Sequence, residues 1–413
     1  MSPAVPTGQQ GQQRALRLVG AALAVPLLWA AVGATAANVV EPANAELALK
    51  FWPWDSSARA RLAGKALADD AGDEPTRAEV ERMAQSIARA EPINAVAFRL
   101  AGTVAAARGD EARADTLMRH VEQITRRDAL SQFYLIERAV GAGDVQRAFG
   151  HYRKVLDTQP ETFPALFPIL VKAAAQPAIL PDYARFLAAG RLWRDQLAFK
   201  IASETEPVTS AVALFKLTAR QRYAVGPEVR RPLIDRLQTA GQYREALAQS
   251  RIARGDAGPV VNPDFGAPRA LAPFDWTLAS SADATVALGA SNGRGLAINV
   301  TGSNDLVLAR ALLVAAPGRY RLSSTFALER GNADGMAWTL DCAGGGAIGQ
   351  QAVAGQGGSR QSDITIPAQG CPAQWLALTV AGKRASEEIV GTIQSVRLLP
   401  IGGAPPAGAR GAR

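Results

Sequence analysis

The sequence predicts a multidomain protein of the α-then-β class, with an N-terminal membrane helix, an α-α helical repeat solenoid and a C-terminal antiparallel β-sandwich. Three observations predict this order: a charge-free apolar stretch near the start, a phrase that recurs at a fixed spacing, and a late change to short alternating apolar runs. A chain of 413 residues, 48% of them hydrophobic, can form two or three domains with buried cores. The predicted segments are a cytoplasmic start (1–17), a transmembrane anchor or signal segment (18–37), helical repeats (45–255), a β-sandwich (259–400) and a disordered tail (401–413).

The composition argues against several classes of function. The chain carries 45 basic and 37 acidic side chains, a formal net charge of +8, but the basic excess is scattered and forms no stripe. Nucleic acid is therefore not an expected partner. Two histidines and two cysteines leave little material for metal sites or for nucleophile–base pairs. The sequence predicts no catalytic residue and no enzyme activity.

Residues 18–37 predict the membrane segment. They carry no charge, and the only charges before them are Arg14 and Arg17. Twenty apolar residues are enough to span a bilayer, although Ala34-Thr35-Ala36 would also suit cleavage of a secretory signal. Because basic residues stay in the cytoplasm and the first acid is Glu41, we expect the rest of the chain to lie on the outer side of the membrane.

A short aromatic run, Phe51-Trp52-Pro53-Trp54, follows this segment and precedes a good helix N-cap at Asp55. The run either covers the first helix pair or, because the predicted membrane segment is near, places its tryptophans at the boundary between lipid and water. The sequence leaves both interpretations open.

Two units of the helical region lie 34 residues apart, and a further copy of the same pattern appears near the end of the region. Its units share a glycine, then an alanine, then a larger side chain or a closing proline: Gly109, Ala114 and Met118; Gly143, Ala148, Tyr152 and Pro160; Gly241 and Ala246. Glycine suits a left-handed helix end, alanine allows close helix approach, and proline ends a helix. We interpret these residues as packing residues. The region resembles an array of tetratricopeptide repeats, and this resemblance implies a groove that holds a protein partner.

Two histidines lie in this region, His120 and His151, in neighbouring units. Neither has a cysteine nearby, so we expect a solvated or groove-lining role rather than metal binding.

The region from about residue 259 predicts a single β-sandwich, because nine short strand-like runs bounded by Gly, Asn and Asp occur there. The glycine-rich segment Ala343–Gly358 is predicted as a loop. Cys342 and Cys371, the only cysteines, both lie in this domain and outside the membrane on the predicted topology. We predict a disulfide between them, with two free thiols as the alternative.

Three tryptophans of the sandwich, Trp276, Trp338 and Trp375, could stack on sugar rings, with packing in the core as the alternative. Several fragments resemble carbohydrate-binding jelly rolls of the galactose-binding-like class: Asn262-Pro263-Asp264-Phe265, Phe274-Asp275-Trp276, Pro317-Gly318-Arg319-Tyr320 and Gly391-Thr392-Ile393. Such jelly rolls commonly require calcium, and this resemblance implies Asn262 and Asp264 as candidate ligands, although the sequence shows no dense acidic cluster.

The whole layout over residues 18–400 is similar to proteins encoded in bacterial exopolysaccharide biosynthesis clusters. Its more distinctive fragments are Thr125-Arg126-Arg127-Asp128, Trp338-Thr339-Leu340-Asp341-Cys342 and Cys371-Pro372-Ala373-Gln374-Trp375-Leu376.

This resemblance implies an accessory protein of the bacterial inner membrane, single-pass and mostly periplasmic, or a soluble periplasmic protein if the segment 18–37 is cleaved. It implies a scaffold for polysaccharide polymerisation or export, with a protein partner on the helical repeats and polysaccharide on the jelly roll. Two alternatives remain. One is a glycan-modifying hydrolase or lyase, which needs paired carboxylates such as Asp334, Asp341 or Asp363. The other is an assembly factor that contacts only protein.

Overall fold

Helices fill the first part of the chain and antiparallel strands fill the second, which confirms the predicted α-then-β class. The structure, a computed structural model, describes residues 29–70, 72–252, 258–302, 304–381 and 388–401. The predicted cytoplasmic start, residues 18–28 of the predicted membrane segment and residues 402–413 of the predicted tail lie outside these ranges. Within the described part of the chain, no single helix is both long enough and apolar enough to cross a membrane.

The helices are short and follow one another closely. Their bounds are α1 Trp29–Val40, α2 Ala45–Phe51, α3 Ser56–Asp69, α4 Glu74–Ala90, α5 Ala95–Ala107, α6 Glu111–Ile124, α7 Ala129–Gly141, α8 Val145–Thr158, α9 Phe163–Ala173, α10 Leu180–Ala189, α11 Arg194–Glu204, α12 Val208–Arg220, α13 Pro227–Thr239 and α14 Tyr243–Ser250. The chain divides into two compact units, Met1–Ala165 and Leu166–Arg413. The second unit therefore holds the last helices together with all the strands.

The helices of the first unit begin at side-chain caps that the sequence supplies. Each helix from α2 to α8 follows an Asn or Asp whose side chain accepts a hydrogen bond from a backbone N–H of the first turn: Asn44, Asp55, Asp73, Asn94, Asp110, Asp128 and Asp144. Each such cap satisfies an N–H group that has no partner within the helix.

The turns at Gly109, Gly143 and Gly241 have the same geometry, with φ between +70° and +78°. In each turn the glycine N–H and the N–H of the next residue donate to carbonyls of the preceding helix, as in Gly109 N to Ala106 O (2.9 Å) and Asp110 N to Ala105 O (2.9 Å). Left-handed backbone of this kind favours glycine, so the recurring glycine has a local cause.

The alanines of the repeating pattern lie between closely packed helices. Ala114, Ala148 and Ala246 are buried. Met118 is also buried, and its Cε would lie 3.1 Å from a Cβ placed on Gly102 of α5, so α5 and α6 approach each other at this glycine. The pattern residues therefore lie where helices pack. Tyr152 is partly buried, and burial raises the pKa of its hydroxyl.

The prolines that close the repeat units follow helix ends. Helix α8 ends at Thr158, and Pro160 begins a short 3-10 turn, Pro160–Thr162. Pro177 begins a second such turn after α9. Proline lacks the N–H that an α-helix needs, so these positions end one helix before the next begins.

The strands of the second unit form two packed antiparallel sheets. Their bounds are β1 Thr277–Leu278, β2 Ser280–Ser281, β3 Ala284–Ser291, β4 Arg294–Val300, β5 Leu306–Leu313, β6 Gly318–Arg330, β7 Met336–Cys342, β8 Ala347–Val353, β9 Gly357–Ile366, β10 Gln374–Val380 and β11 Ile389–Pro400. The five-stranded sheet has the order β1-β5-β10-β7-β8 and the six-stranded sheet has the order β2-β3-β4-β11-β6-β9. Side chains of both sheets meet in one core.

The loop predicted over Ala343–Gly358 is wrong for much of its length, because Ala347–Val353 forms strand β8 beside β7. The inward side chain at the middle of this strand is Gln351, which is buried. Its Oε1 accepts from Ser324 Oγ of the opposite sheet at 2.7 Å, and its Nε2 donates to Leu322 O at 2.8 Å. A polar residue thus occupies a core position because β6 supplies both of its hydrogen-bond partners.

Candidate functional site

Of the three sandwich tryptophans predicted from sequence, Trp375 is the one that reaches the surface. It lies on the outer face of the five-stranded sheet. Along β10, Leu376 and Leu378 are fully buried in the core. Because side chains alternate along a strand, Trp375, between Gln374 and Leu376, projects from the opposite face, where it is partly exposed.

Two charged side chains flank the Trp375 ring. The guanidinium carbon of Arg310, on β5, lies 5.0 Å from the ring centroid, within the range of a cation–π interaction. On the other neighbouring strand, the residue paired with Trp375 is Asp341 of β7. Side chains of directly paired antiparallel residues are neighbours on one face, so the indole stands between a cation and a carboxylate.

A polar row runs across all five strands beside the ring. The backbone register aligns its members in the order Gln350, Thr339, Ala377, Arg310 and Thr277. The hydroxyl, amide and guanidinium groups of this row can donate or accept hydrogen bonds, and the short side chain of Ala377 lies at the centre of the row. We call Trp375, Asp341 and this row the Trp375 face.

A disulfide joins the end of β7 to the segment before β10 and so fixes one edge of the Trp375 face, at the ends of these two strands. Cys342 and Cys371 are bonded, with their Cα atoms 5.1 Å apart, as the sequence predicts. Cys342 directly follows Asp341, and Cys371 precedes Trp375 by four residues. Gln374, which is fully buried, donates from Nε2 to Cys371 O at 2.9 Å and accepts from Ala315 N at 3.0 Å. Local sequence does not predict this role for Gln374, because only the fold brings Ala315 to it.

The other two candidate tryptophans lie in the core, so stacking on sugar is wrong for them. Trp338 is fully buried and Trp276 is 7% exposed. Phe265 packs against both, with ring centroids 4.8 Å from Trp276 and 6.4 Å from Trp338. The Trp276 indole N–H donates to Asn262 O at 2.7 Å, which satisfies its one polar group inside the protein.

The two candidate calcium ligands are held by other groups. Asn262 is buried, and its amide hydrogen-bonds with the backbone of Gly266 and with Asp275 Oδ1. Asp264 forms ion pairs with Arg269 at 3.3 Å and Arg294 at 3.5 Å. Two guanidinium groups at one carboxylate are a poor setting for a calcium ion, so the residues present do not fit one.

The carboxylates considered for catalysis are not brought together. Asp334 lies in the turn between β6 and β7 and accepts from Asn332 at 3.0 Å. Asp341 and Asp363 lie on different sheets of the sandwich. Arg321 donates to Asp363 at 2.9 Å, and this hydrogen bond lowers the pKa of that carboxyl. No pair among the three shares a site of the kind that glycoside hydrolysis uses.

The first unit contains a charged pocket of about 410 Å³ between α6, α7 and α8. His151 and Glu122 line it, and His151 is buried rather than solvated. The His151 Nδ1 lies 2.7 Å from Gln132 Oε1 and 3.2 Å from Glu122 Oε1, and Lys154 also pairs with Glu122. His120 lies elsewhere, half-buried with its ring edge against Phe98.

Burial lowers the pKa of His151 more than the Glu122 carboxylate raises it, and the nearby Lys154 and Arg147 lower it further. Burial alone would raise the pKa of Glu122, but hydrogen bonds from Lys154 and Gln132 outweigh burial, so its pKa lies below the usual range. At neutral pH the pocket therefore holds an uncharged imidazole beside an ionised carboxylate.

Cationic side chains outnumber anionic ones around this pocket. Its lining includes Arg119, Arg138, Arg147 and Lys154, against Asp115 and Glu122. Arg138 and Arg119 each pair with Asp115, at 3.2 Å and 3.5 Å. The lining thus has four cationic side chains against two anionic ones, and two of the cations, Arg138 and Arg147, also pair with Glu111 and Asp144 outside the lining.

No protein-family model matches this chain, and no curated protein matches it. Similar solved structures include a family 61 carbohydrate-binding module in complex with β-1,4-galactotriose (15% identity, 35% of this chain, 100% of that chain, TM-score 0.24) and a family 4 carbohydrate-binding module (12%, 36%, 100%, 0.28). A family 6 module of Cellvibrio mixtus lichenase 5A with cellotriose is a third (15%, 30%, 92%, 0.21).

Proposed function

We propose that this chain is a binding scaffold and that the Trp375 face of its sandwich holds glycan. The observation that carries the proposal is the partly exposed indole of Trp375 between Arg310 and Asp341. A sugar ring presents an apolar face to an aromatic ring and hydroxyls at its rim, so an indole flanked by hydrogen-bonding groups suits it. Among the described residues, Trp375 is the sandwich tryptophan that can make such a contact.

The test is binding of the full chain to a panel of neutral and acidic bacterial polysaccharides, with release of reducing ends followed in the same tubes. We expect saturable binding without cleavage, and loss of binding in Trp375→Ala. The matched control is Leu399→Ala, which removes a 48% exposed side chain from β11 of the other sheet. Binding that survives in Trp375→Ala would contradict the proposed face. Cleavage would favour the hydrolase or lyase, and no binding to any glycan would favour the protein-only assembly factor.

We also propose that the helical repeats bind a protein partner, as tetratricopeptide arrays do, and that the charged pocket receives acidic side chains. The positive lining around His151 supports this. Arg119 and Arg147 are largely exposed, and each forms one ion pair at 3.5 Å, with Asp115 and Asp144, for which an acidic ligand would compete. A labelled poly-glutamate peptide should bind the full chain and release with salt, and Arg119→Glu with Arg147→Glu should abolish binding. Equal binding by the variant would remove the pocket from the proposal.

The cellular setting remains a proposal too. The charge-free segment 18–37 supports attachment to the bacterial inner membrane with the bulk of the chain in the periplasm, where the disulfide between Cys342 and Cys371 would persist. A scaffold in this place would support polysaccharide polymerisation or export. Fractionation of cells that express the full chain tests the location, and a chain recovered in the cytosol with reduced thiols would overturn it.

A further inference from the structure

An aromatic cluster of three tryptophans lies at the start of the first unit. Trp29 belongs to α1, whereas Trp52 and Trp54 follow α2. The ring centroid of Trp52 lies 5.4 Å from that of Trp29 and 5.3 Å from that of Trp54, and Trp29 and Trp54 are 6.3 Å apart. The three rings therefore form one contiguous surface, which we call the indole cluster.

Close packing beneath the indole cluster holds it in place. A Cβ on Gly33 would lie 3.0 Å from Phe51 O and 3.3 Å from the Trp52 ring, so α1 approaches the end of α2 closely at this glycine. Below this contact, Ala37 and Ala48 are fully buried in a small core against which Trp52 packs. The orientation of the rings is thus fixed by packing on their inner side.

Within the part of the chain that the structure describes, the outer side of the indole cluster is open. Trp54 is 61% exposed and Trp29 is 54% exposed, and the neighbouring apolar side chains Phe51 and Val32 are 43% and 62% exposed. Large apolar side chains that are grouped and exposed usually mark a surface that another phase or molecule covers.

We propose that the lipid–water interface of a bilayer covers this surface. Trp29 lies within the charge-free stretch 18–37, so the exposed rings adjoin, along the chain, the apolar residues that precede Trp29 in that stretch. Charged groups begin beyond it with Glu41, whose Oε1 lies 2.7 Å from Arg61 Nε. Indoles prefer this boundary because the ring is apolar and its N–H reaches the polar layer. The inference rests on the proposed membrane attachment.

The test reconstitutes the full chain in vesicles of phosphatidylethanolamine and phosphatidylglycerol. In one set the lipid chains carry bromine next to the headgroup, and in another set at the chain end. Bromine quenches tryptophan fluorescence on contact. The fluorescence of the indole cluster is obtained by subtracting the fluorescence of a variant with Trp29, Trp52 and Trp54 all changed to Phe from that of the parent. We expect a larger loss of this difference signal with the shallow bromine than with the deep bromine. The control is Trp193→Phe, because Trp193 is fully buried and its difference signal should be quenched by neither lipid.

Flotation of the same vesicles separates this inference from the attachment on which it rests. If the chain floats and neither bromine quenches the cluster, attachment stands and the interface is wrong, with a second copy or another protein as the cover. If the chain floats and the deep bromine quenches more, the rings lie in the hydrocarbon and the interface is again wrong. If the chain does not float, both the attachment and the inference fail.

Discussion

His151 shows how burial changes the chemistry of a single side chain in this protein. The imidazole is only 5% exposed, and burial lowers its pKa although a carboxylate lies 3.2 Å away. Gln132, itself fully buried, supplies the hydrogen bond that keeps the neutral ring satisfied. From sequence His151 is a histidine on an amphipathic helix, and only the packing of α7 beside α8 determines that it is buried and uncharged.

The stability of the protein should consequently fall on acidification. Because the pKa of His151 is lower in the folded chain than its ordinary value of 6.5, the unfolded chain binds more protons below that value. The contribution of His151 is complete above pH 6.5 and is lost as the pH falls through its folded pKa. The lowered pKa of Glu122 acts in the same direction at more acidic pH. Urea unfolding on both sides of pH 6.5 measures this decline, which should be smaller in His151→Gln.

The matched control for this experiment is His120→Gln, since His120 contacts Phe98 and not Glu122. An equal reduction of the pH dependence in both variants, or an unchanged dependence in His151→Gln, would contradict the role assigned to the buried ring.

Two glycines of the first unit should respond in opposite ways to the same substitution. Gly143 has a φ of +70°, so Gly143→Ala should cost about 1–2 kcal/mol through the left-handed backbone. Gly150 lies inside α8, so Gly150→Ala should stabilise the helix by about 0.5–1 kcal/mol. A Cβ at either position meets nothing within 4 Å, so sterics do not differ. Denaturant unfolding of both variants measures the contrast, and a shift of the same sign in both would contradict it.

At the scale of single elements, strand β8 marks the limit of what the sequence predicts. On β7, Met336, Trp338 and Leu340 turn into the core at alternate positions, which is the pattern of a half-buried strand. Strand β8 follows three consecutive glycines, and one of its two inward residues, Gln351 and Val353, is polar. Its sequence pattern therefore indicates a loop. Its core glutamine is stable because Ser324 and Leu322 pair with it across the sandwich, and such a partner cannot be read from local sequence.

The residues of the candidate site could be predicted from sequence only in part. Aromatic composition alone proposed Trp276, Trp338 and Trp375 equally, and strand parity together with the packing of Phe265 separates the exposed ring from the two core rings. The polar row beside Trp375 depends on the register of β1, β5, β7, β8 and β10, which adjacent sequence does not encode.

The disulfide is an element-scale constraint on the edge of the Trp375 face. It closes a segment of 29 residues between β7 and the start of β10, so its loss should cost about 3–4 kcal/mol in the chain-entropy account. Thermal unfolding of Cys342→Ala with Cys371→Ala, compared with the oxidised parent, measures this cost, and the reduced parent controls for the two alanine side chains. Each single alanine variant leaves one buried thiol and should lose a similar amount. A double variant as stable as the oxidised parent would show that hydrogen bonds of Gln374 hold this edge without the bond.

At the scale of the whole molecule, the proposed surfaces lie on different parts of one chain. The indole cluster belongs to the unit Met1–Ala165, and the Trp375 face belongs to the unit Leu166–Arg413. A chain that holds a bilayer through one unit and a glycan through the other would act as a tether, because joining two binding modules makes the second contact intramolecular. This interpretation requires that each surface can be removed without loss of the other.

Separate loss of the two activities is therefore expected from two variants of the full chain. In vesicles, the parent should float and carry a labelled polysaccharide from the panel with it. Trp375→Ala should float normally and leave the polysaccharide behind, because its lesion is confined to the sheet face. The double variant Trp29→Ser with Trp54→Ser should retain glycan binding in detergent. Its remaining tryptophan fluorescence should no longer be quenched more by the shallow bromine than by the deep bromine, because two exposed indoles are gone and Trp52 is only partly exposed. If Trp375→Ala failed to float, or if the double serine variant failed to bind glycan, the two surfaces would not act independently and the tether would have to be abandoned.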